Sequence, residues 1–246
     1  MNRELFFEND HRNYLLVIGI NEYQDKQIPT LKNAAKDAKD VRKLLVENYE
    51  FDASEECCIE LYDANASKKH IVAALQKLAK EFHHRPNEFN LLIYFAGHGH
   101  LDKLLDIGYL LPADAKHREY DSYLPNSTII DYISRIKSHH TFLILDSCFS
   151  GSLLRSDELA EKSYTQNQDK YPSRIGLTSG RLEVVADGYY NDNSPFAKAL
   201  IQFLKVPTSP VFTTSDLYNY LKTTVPNNAN QQPYWGRLLQ TGDLQG

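Results

Sequence analysis

Three short apolar runs, separated by stretches with helical periodicity, constrain this chain more than any other feature. They are YLLVIGI at residues 14–20, NLLIYFA at 90–96 and TFLIL at 141–145. Runs of this length and hydrophobicity are the pattern of strands buried on both faces. Between the first two, residues 33–48 place Ala34, Ala38, Val41 and Leu45 at helical spacing, with charges on the other face. Ser67 can cap a second helix, whose stripe is Ile71, Leu75, Leu78 and Phe82. A third runs through Ile129, Ile133 and Ile136, with Asn126 or Ser127 as its cap. Residues 58–62 and 174–179 read as further strands, residues 107–111 as part of a small hairpin, and Ser194-Pro195 and Thr214 as further helix starts. The tail at 232–239 holds the only Trp and reads as an edge strand. Strands and helices alternating in this way imply right-handed βαβ units and a mainly parallel sheet.

At 246 residues the chain is long enough for a sizeable core, and one domain over residues 1–246 is the expectation. Residues 155–171 (RSDELAEKSYTQNQDKY) are polar and aperiodic, the composition of a long surface loop or linker. With 27 basic and 32 acidic residues the net charge is −5, which provides no broad cationic footprint for nucleic acid. No apolar run approaches the roughly 18 residues that span a bilayer. The first twelve residues, MNRELFFENDHR, lack the apolar centre of a signal peptide. Three cysteines make no disulfide framework, and the adjacent Cys57 and Cys58 should point to opposite faces of one strand. A reducing cytoplasm is the expected location.

Two of the apolar runs end in chemistry. Residues 90–96 lead straight into Gly97-His98-Gly99-His100, and residues 141–145 into Asp146-Ser147-Cys148-Phe149-Ser150-Gly151. In a parallel sheet both ends lie on one rim, where open α/β sheets bind their ligands. A thiolate is a nucleophile and an imidazole is a base near neutral pH, so His98 and Cys148 can form a catalytic pair. The N–H groups of Gly99 and Cys148 are candidates for an oxyanion hole, which could supply about 3 kcal/mol of transition-state stabilisation. Taken singly, Cys148 reads as an inert buried thiol and GHG as a turn with a hydrogen-bonded His. Matching strand contexts favour catalysis.

The segments FAGHG and LDSCFSG, each at the end of a strand, resemble the caspase-like cysteine peptidases, and among these the metacaspases and bacterial caspase homologues. The resemblance runs from about residue 14 to 204 and includes GINEY and SPFAKAL. A His about fifty residues before the Cys is the general expectation for caspases, so that spacing is a match to the family rather than an independent result. The resemblance implies a three-layer α/β sandwich, with a mainly parallel sheet of about six strands and helices on both faces. It also implies a His98–Cys148 dyad, with Gly99 and Cys148 lining the oxyanion hole, acting on protein or peptide substrates.

Departures from the animal caspases set the expected specificity. Their nucleophile segment reads Q-A-C-x-G, and arginines hold the substrate's aspartate, whereas residues 20–34 here contain no Arg. Asp146 and Cys148 are two apart and share a side if the segment is extended. An anionic wall then favours cleavage after Arg or Lys over cleavage after Asp. The metacaspase resemblance adds Asp37 as a second pocket carboxylate; the alternative is a solvated carboxylate near a helix N-terminus. Residues 155–171 fall where caspase relatives carry an activation linker, and Arg155, Lys162 and Lys170 would suit self-processing. No cofactor is expected. Calcium dependence is common among metacaspases, but Asp102, Asp106 and Asp114 are too scattered to define a site. A regulatory module or partner protein is a further expectation from the family.

Three rival readings are weaker. A cysteine phosphatase needs C-x5-R, and Cys148 to Arg155 is C-x6-R. His98 and His100 could start a metal site, yet nothing completes it with recognisable spacing. A catalytically silent caspase-like scaffold is the remaining alternative, and the presence of both dyad residues argues against it.

Overall fold

The computed structural model describes residues 11–148, 154, 172–180, 187–188, 192–206, 212–227, 229 and 231–239. In chain order the elements are β1 (Arg12–Gly19), α1 (Ala34–Asn48), β2 (Cys58–Tyr62), α2 (Lys68–His84) and β3 (Phe89–Ala96). They continue with β4 (Gly99–Asp102), β5 (Ile107–Leu110), β6 (Leu124–Pro125), α3 (Asn126–Arg135) and β7 (His140–Asp146). The chain closes with β8 (Ser173–Thr178), α4 (Pro195–Lys205), α5 (Thr214–Thr224) and β9 (Tyr234–Arg237). The three apolar runs become the middle of a six-stranded sheet in the order β2-β1-β3-β7-β8-β9. Every pairing is parallel except that of β9 on β8.

Alternation along the strands decides what each face meets. Leu16, Ile18, Ile93, Phe95, Leu143 and Leu145 turn to the face covered by α2 and α3. Leu15, Val17, Tyr94, Ala96, Ile144 and Leu177 turn to the face covered by α1, α4 and α5. The architecture is therefore a three-layer α/β sandwich. Cys57 and Cys58 fall in the two different cores, on opposite faces as their adjacency predicts. A second, antiparallel sheet, β4-β5-β6, contains the anticipated hairpin and starts immediately beyond His98.

Small residues bring α1 close to the sheet. A Cβ on Gly19 would lie 2.7 Å from Ala38 Cβ and 2.8 Å from the Ala34 carbonyl oxygen. Ala34, Ala35 and Ala38 are all buried in this contact, so the first turn of α1, with Asp37, sits against the end of β1. Larger side chains here would hold Asp37 away from the rim.

Two caps differ from expectation. Asn126 is the first helical residue of α3 rather than its cap, and Pro125 takes the cap position. The fixed φ of proline, −59° here, already leads into the helix without a side-chain acceptor. For α5 the cap is Thr213, one residue earlier than Thr214. Its hydroxyl accepts the Asp216 N–H at 3.1 Å and the Asp216 carboxylate accepts the Thr213 N–H at 2.7 Å, a reciprocal box that Thr214 cannot make. Ser67 and Ser194 cap α2 and α4 as anticipated. The proposed linker at 155–171 lies outside the described residues. Among the described residues, no helix is long and apolar enough to cross a membrane.

Candidate active site

Register sets the site. β3 and β7 are neighbours and parallel, with Ala96 opposite Asp146, so positions two residues beyond each strand, 98 and 148, emerge side by side. Adjacent strands lie about 4.8 Å apart. The N–H of Gly97 donates to the Asp146 carbonyl at 3.3 Å, extending the ladder past the strand ends. His98 and Cys148 line one cleft of about 70 Å³.

Gly99 is where the two loops press together. A Cβ there would meet the Cys148 carbonyl oxygen at 2.1 Å and Ser147 Oγ at 2.6 Å. Such separations are far inside van der Waals contact, and the nearer obstacle is backbone. Gly99→Ala must therefore displace the Cys148 turn. We expect a lower Tm together with an altered rate of Cys148 alkylation by iodoacetamide; unchanged values in both would refute the close approach.

Three contacts fix His98. Its backbone N–H donates to Tyr23 Oη at 2.8 Å, and the Tyr23 ring lies against the imidazole with centroids 5.2 Å apart. Its Nε2 lies 2.8 Å from the Pro29 carbonyl oxygen. A carbonyl can only accept, so Nε2 carries the proton and Nδ1 of the neutral ring is left as the basic nitrogen. Burial lowers the imidazole's pKa, opposed by the Pro29 carbonyl and by the charge of Asp187. The ring is thus neutral, and able to accept a proton, over a wider range of pH than a free histidine.

Asp146 ends β7 on the same face as Ile144, the face that α1 and α4 cover. Its side chain is buried and lines the cleft, as is that of Asp37 from α1. The solvated-carboxylate alternative for Asp37 does not hold: the residue is 1% exposed. Both carboxylates are tied to the start of α4. The Ser194 N–H reaches Asp37 Oδ1 and Oδ2 at 3.3 and 3.2 Å, and Asn193 Nδ2 donates to Asp37 Oδ1 at 2.8 Å. Ser194 Oγ donates to Asp146 Oδ2 at 2.6 Å while accepting the Ala197 N–H at 3.0 Å. Asp146 Oδ1 is buried and finds no hydrogen-bond partner among the described residues.

Two buried carboxylates in one cleft resist ionising together. Burial, and then the charge of Asp146, push Asp37 up to about 8. Burial pushes Asp146 up to about 6, with the Ser194 and Ser179 hydroxyls opposing the rise and the charge of Asp187 adding to it. Near neutral pH the two carboxylates therefore share a proton. Asp187 and Ser194 also line the cleft, and its other walls, Leu31, Ala34, Ala96 and Gly97, can pack an aliphatic stem.

Several site residues carried no usable sequence signal. Pro29 acts through a backbone carbonyl, Tyr23 is one of 16 tyrosines, and Asp187 lies 89 positions after His98. Ser194 read only as a helix cap. The other acidic residues considered have local structural jobs: Asp102 Oδ1 accepts the N–H groups of Leu104 and Leu105, and Asp114 Oδ1 that of Lys68. His100 lies among Tyr109, Tyr120 and Tyr123. No group of three or more metal-ligating side chains that could hold a metal ion occurs among the described residues.

A parallel sheet flanked by helices on both faces, with a His and a Cys at adjacent strand ends, defines a class, and comparison with known proteins gives the family. The family model for the caspase domain (peptidase C14) matches residues 12–244, and the chain belongs to that family of cysteine peptidases. Among solved structures it is similar to a protein from Geobacter sulfurreducens, with 12% identity and a TM-score of 0.65, covering 91% of this chain and 92% of that one. It is also similar to caspase-1 from Spodoptera frugiperda, with 14% identity and a TM-score of 0.64, covering 98% and 93%. At such identities the likeness is one of fold. A search of curated proteins returns no match.

Proposed function

We propose that this protein is a cysteine endopeptidase that cleaves after arginine or lysine, with Cys148 as nucleophile and His98 as general acid and base. The observation that carries the specificity is Asp146 Oδ1, buried and without a partner among the described residues, in the cleft that His98 and Cys148 also line. A buried unpaired carboxylate oxygen is costly unless a cation or proton meets it.

The chemistry follows from the proton on His98. With Nε2–H held by Pro29, Nδ1 takes the proton of the Cys148 thiol. The thiolate then attacks the scissile carbonyl carbon, and the N–H groups of Gly99 and Cys148 receive the oxyanion. As the tetrahedral intermediate collapses, the C–N bond breaks and His98 returns its proton to the leaving amine. Water, deprotonated by the same imidazole, hydrolyses the thioester and regenerates the thiol. The substrate's ammonium or guanidinium group meets Asp146 and Asp37, which sets the bond to be cut.

The test is hydrolysis of a peptide library varied at the residue before the scissile bond, with Cys148→Ala as control. Cleavage after Arg or Lys that disappears in the control is expected. Preference for Asp would overturn the pocket, and hydrolysis surviving in Cys148→Ala would overturn the dyad.

The same pocket predicts a pH dependence. In the free enzyme Asp37 and Asp146 are raised to about 8 and about 6, and a bound cation lowers both, so binding releases protons. KM for an arginyl peptide should therefore fall as pH rises from 6 towards 8, by up to about tenfold per unit, and then level off. For folding the sign is opposite. Raised carboxylates favour the folded state most below their unfolded pKa of about 4, and that contribution is lost progressively as pH rises from there to about 6 for Asp146 and about 8 for Asp37. Asp37→Asn should flatten both trends; a KM independent of pH over this range would exclude a shared proton.

A further inference from the structure

Residues 20–33, between β1 and α1, carry the Pro29 carbonyl that holds His98, and carboxylates tie this loop at both ends. At its start Asp63 Oδ1 accepts the N–H groups of Asn21 at 2.8 Å and Glu22 at 3.0 Å. At its end the Asp187 carboxylate accepts the N–H groups of Lys32 and Asn33, and the Asp187 carbonyl accepts Asn33 Nδ2. Asn21 joins the two ends, its carbonyl accepting the Leu31 N–H and its Oδ1 the Ala35 N–H, each at 3.0 Å.

The second tie is unusual in its origin. Helix starts are normally capped by a side chain at the cap position itself. Asn33 occupies that position in α1 without making a side-chain cap bond; Asn21 Oδ1 takes the Ala35 N–H of the first turn, and a carboxylate 154 residues away holds the Asn33 N–H at the helix entry. A local Ser or Asp would hold the helix equally well. Only a distant residue can also fix the loop relative to the rest of the cleft. Gly188, with φ of +80°, then turns the chain, and a Cβ there would meet the Asn193 carbonyl oxygen at 2.8 Å. Beyond the turn Asn193 and Ser194 bind the Asp37–Asp146 pair. The two ends of the 187–194 segment thus engage the loop that bears Pro29 and the carboxylates facing the substrate.

We infer that Asp187 is a positioning residue for His98: by holding the N–H groups of Lys32 and Asn33 it fixes the loop whose Pro29 carbonyl orients the imidazole. Although Asp187 lines the cleft, each of its carboxylate oxygens accepts a backbone N–H, whereas Asp146 Oδ1 has no partner among the described residues. Asp187 is assigned on this ground to the chemical step, and the split between kcat and KM distinguishes that role from a third ligand for the substrate cation, since each carboxylate oxygen keeps a second lone pair. This role rests on the peptidase reading above. Its charge also favours the imidazolium that forms during turnover.

The experiment compares wild type, Asp187→Ala and the double variant Asp187→Ala/Asn33→Asp on an arginyl peptide, with active sites titrated. Misplacement of a catalytic group by about 1 Å costs on the order of 100-fold, so Asp187→Ala should lower kcat by about 10- to 100-fold. KM should change less than about threefold, and the preference for Arg over Asp should persist, because Asp146 and Asp37 are untouched. Asn33→Asp supplies a local cap but gives up the Asn33 Nδ2 bond to the Asp187 carbonyl, so it should restore Tm in part without restoring kcat. A rise in KM with kcat unchanged would make Asp187 a cation ligand and overturn the inference. So would recovery of kcat together with Tm, which would leave a helix cap only. The ¹⁵N signals of the His98 ring separate this from failure of the peptidase reading itself. A protected Nε2–H in wild type that is lost in Asp187→Ala supports the tie even if neither protein cleaves peptides; an identical signal in both refutes it.

Discussion

His98→Ala should lower kcat for an arginyl peptide by about 10³- to 10⁴-fold and leave the fold intact. General acid–base catalysis by a positioned side chain contributes about 10²- to 10⁴-fold, and here one imidazole would serve thiol activation, leaving-group protonation and deacylation in turn. The fold should survive because what ties residue 98 to Tyr23 is its backbone N–H, which alanine retains. The substitution leaves the Pro29 carbonyl without its Nε2–H donor, but beside a cleft that water can enter. The measurement is kcat per titrated site together with Tm and the pH profile of Cys148 alkylation. Alkylation that retains the wild-type profile would separate the imidazole from the thiol and remove the basis for the dyad.

Asp146→Asn should lower kcat/KM for arginyl and lysyl peptides by about 100-fold, with little change in iodoacetamide alkylation of Cys148. Opposite charges at about 4 Å and an effective dielectric near 20 attract by about 4 kcal/mol before desolvation. Losing roughly half to three-quarters of that corresponds to about 30- to 150-fold. Hydrogen bonding adds to the effect. Ser194 Oγ–H requires an acceptor from residue 146, so an asparagine keeps its carbonyl oxygen there and turns its NH₂ donors into the cleft. A donor then faces the substrate's donors where Asp146 Oδ1 stood. Asp37→Asn should cost less, because Asn193 Nδ2 and the Ser194 N–H already bind Asp37. An Asp146→Asn enzyme with undiminished preference for Arg and Lys would overturn the pocket assignment.

The order of strands and helices was legible from local pattern. The run at 90–96 and the stripe of Ile71, Leu75, Leu78 and Phe82 declare their elements through periodicity, because burial on one or both faces is a property of neighbouring residues. The resemblance of FAGHG and LDSCFSG to caspase-like peptidases anticipated the family, and the family model over residues 12–244 bears it out. Caps were read less well where two hydroxyls compete, as at Thr213 and Thr214, since only the reciprocal bond with Asp216 distinguishes them.

By itself, then, the sequence determined the secondary elements, the parallel α/β class and the placing of a His and a Cys just beyond two buried strands. The tertiary structure alone decided that those strands are neighbours in register, that Asp37 is buried beside Asp146, and that Asp187 secures the loop bearing Pro29. The physical reason is range. Periodicity and turn chemistry act over a few residues, whereas a raised pKa, a shared proton or a carbonyl that selects a tautomer arises from groups brought together across 69 to 157 positions of chain.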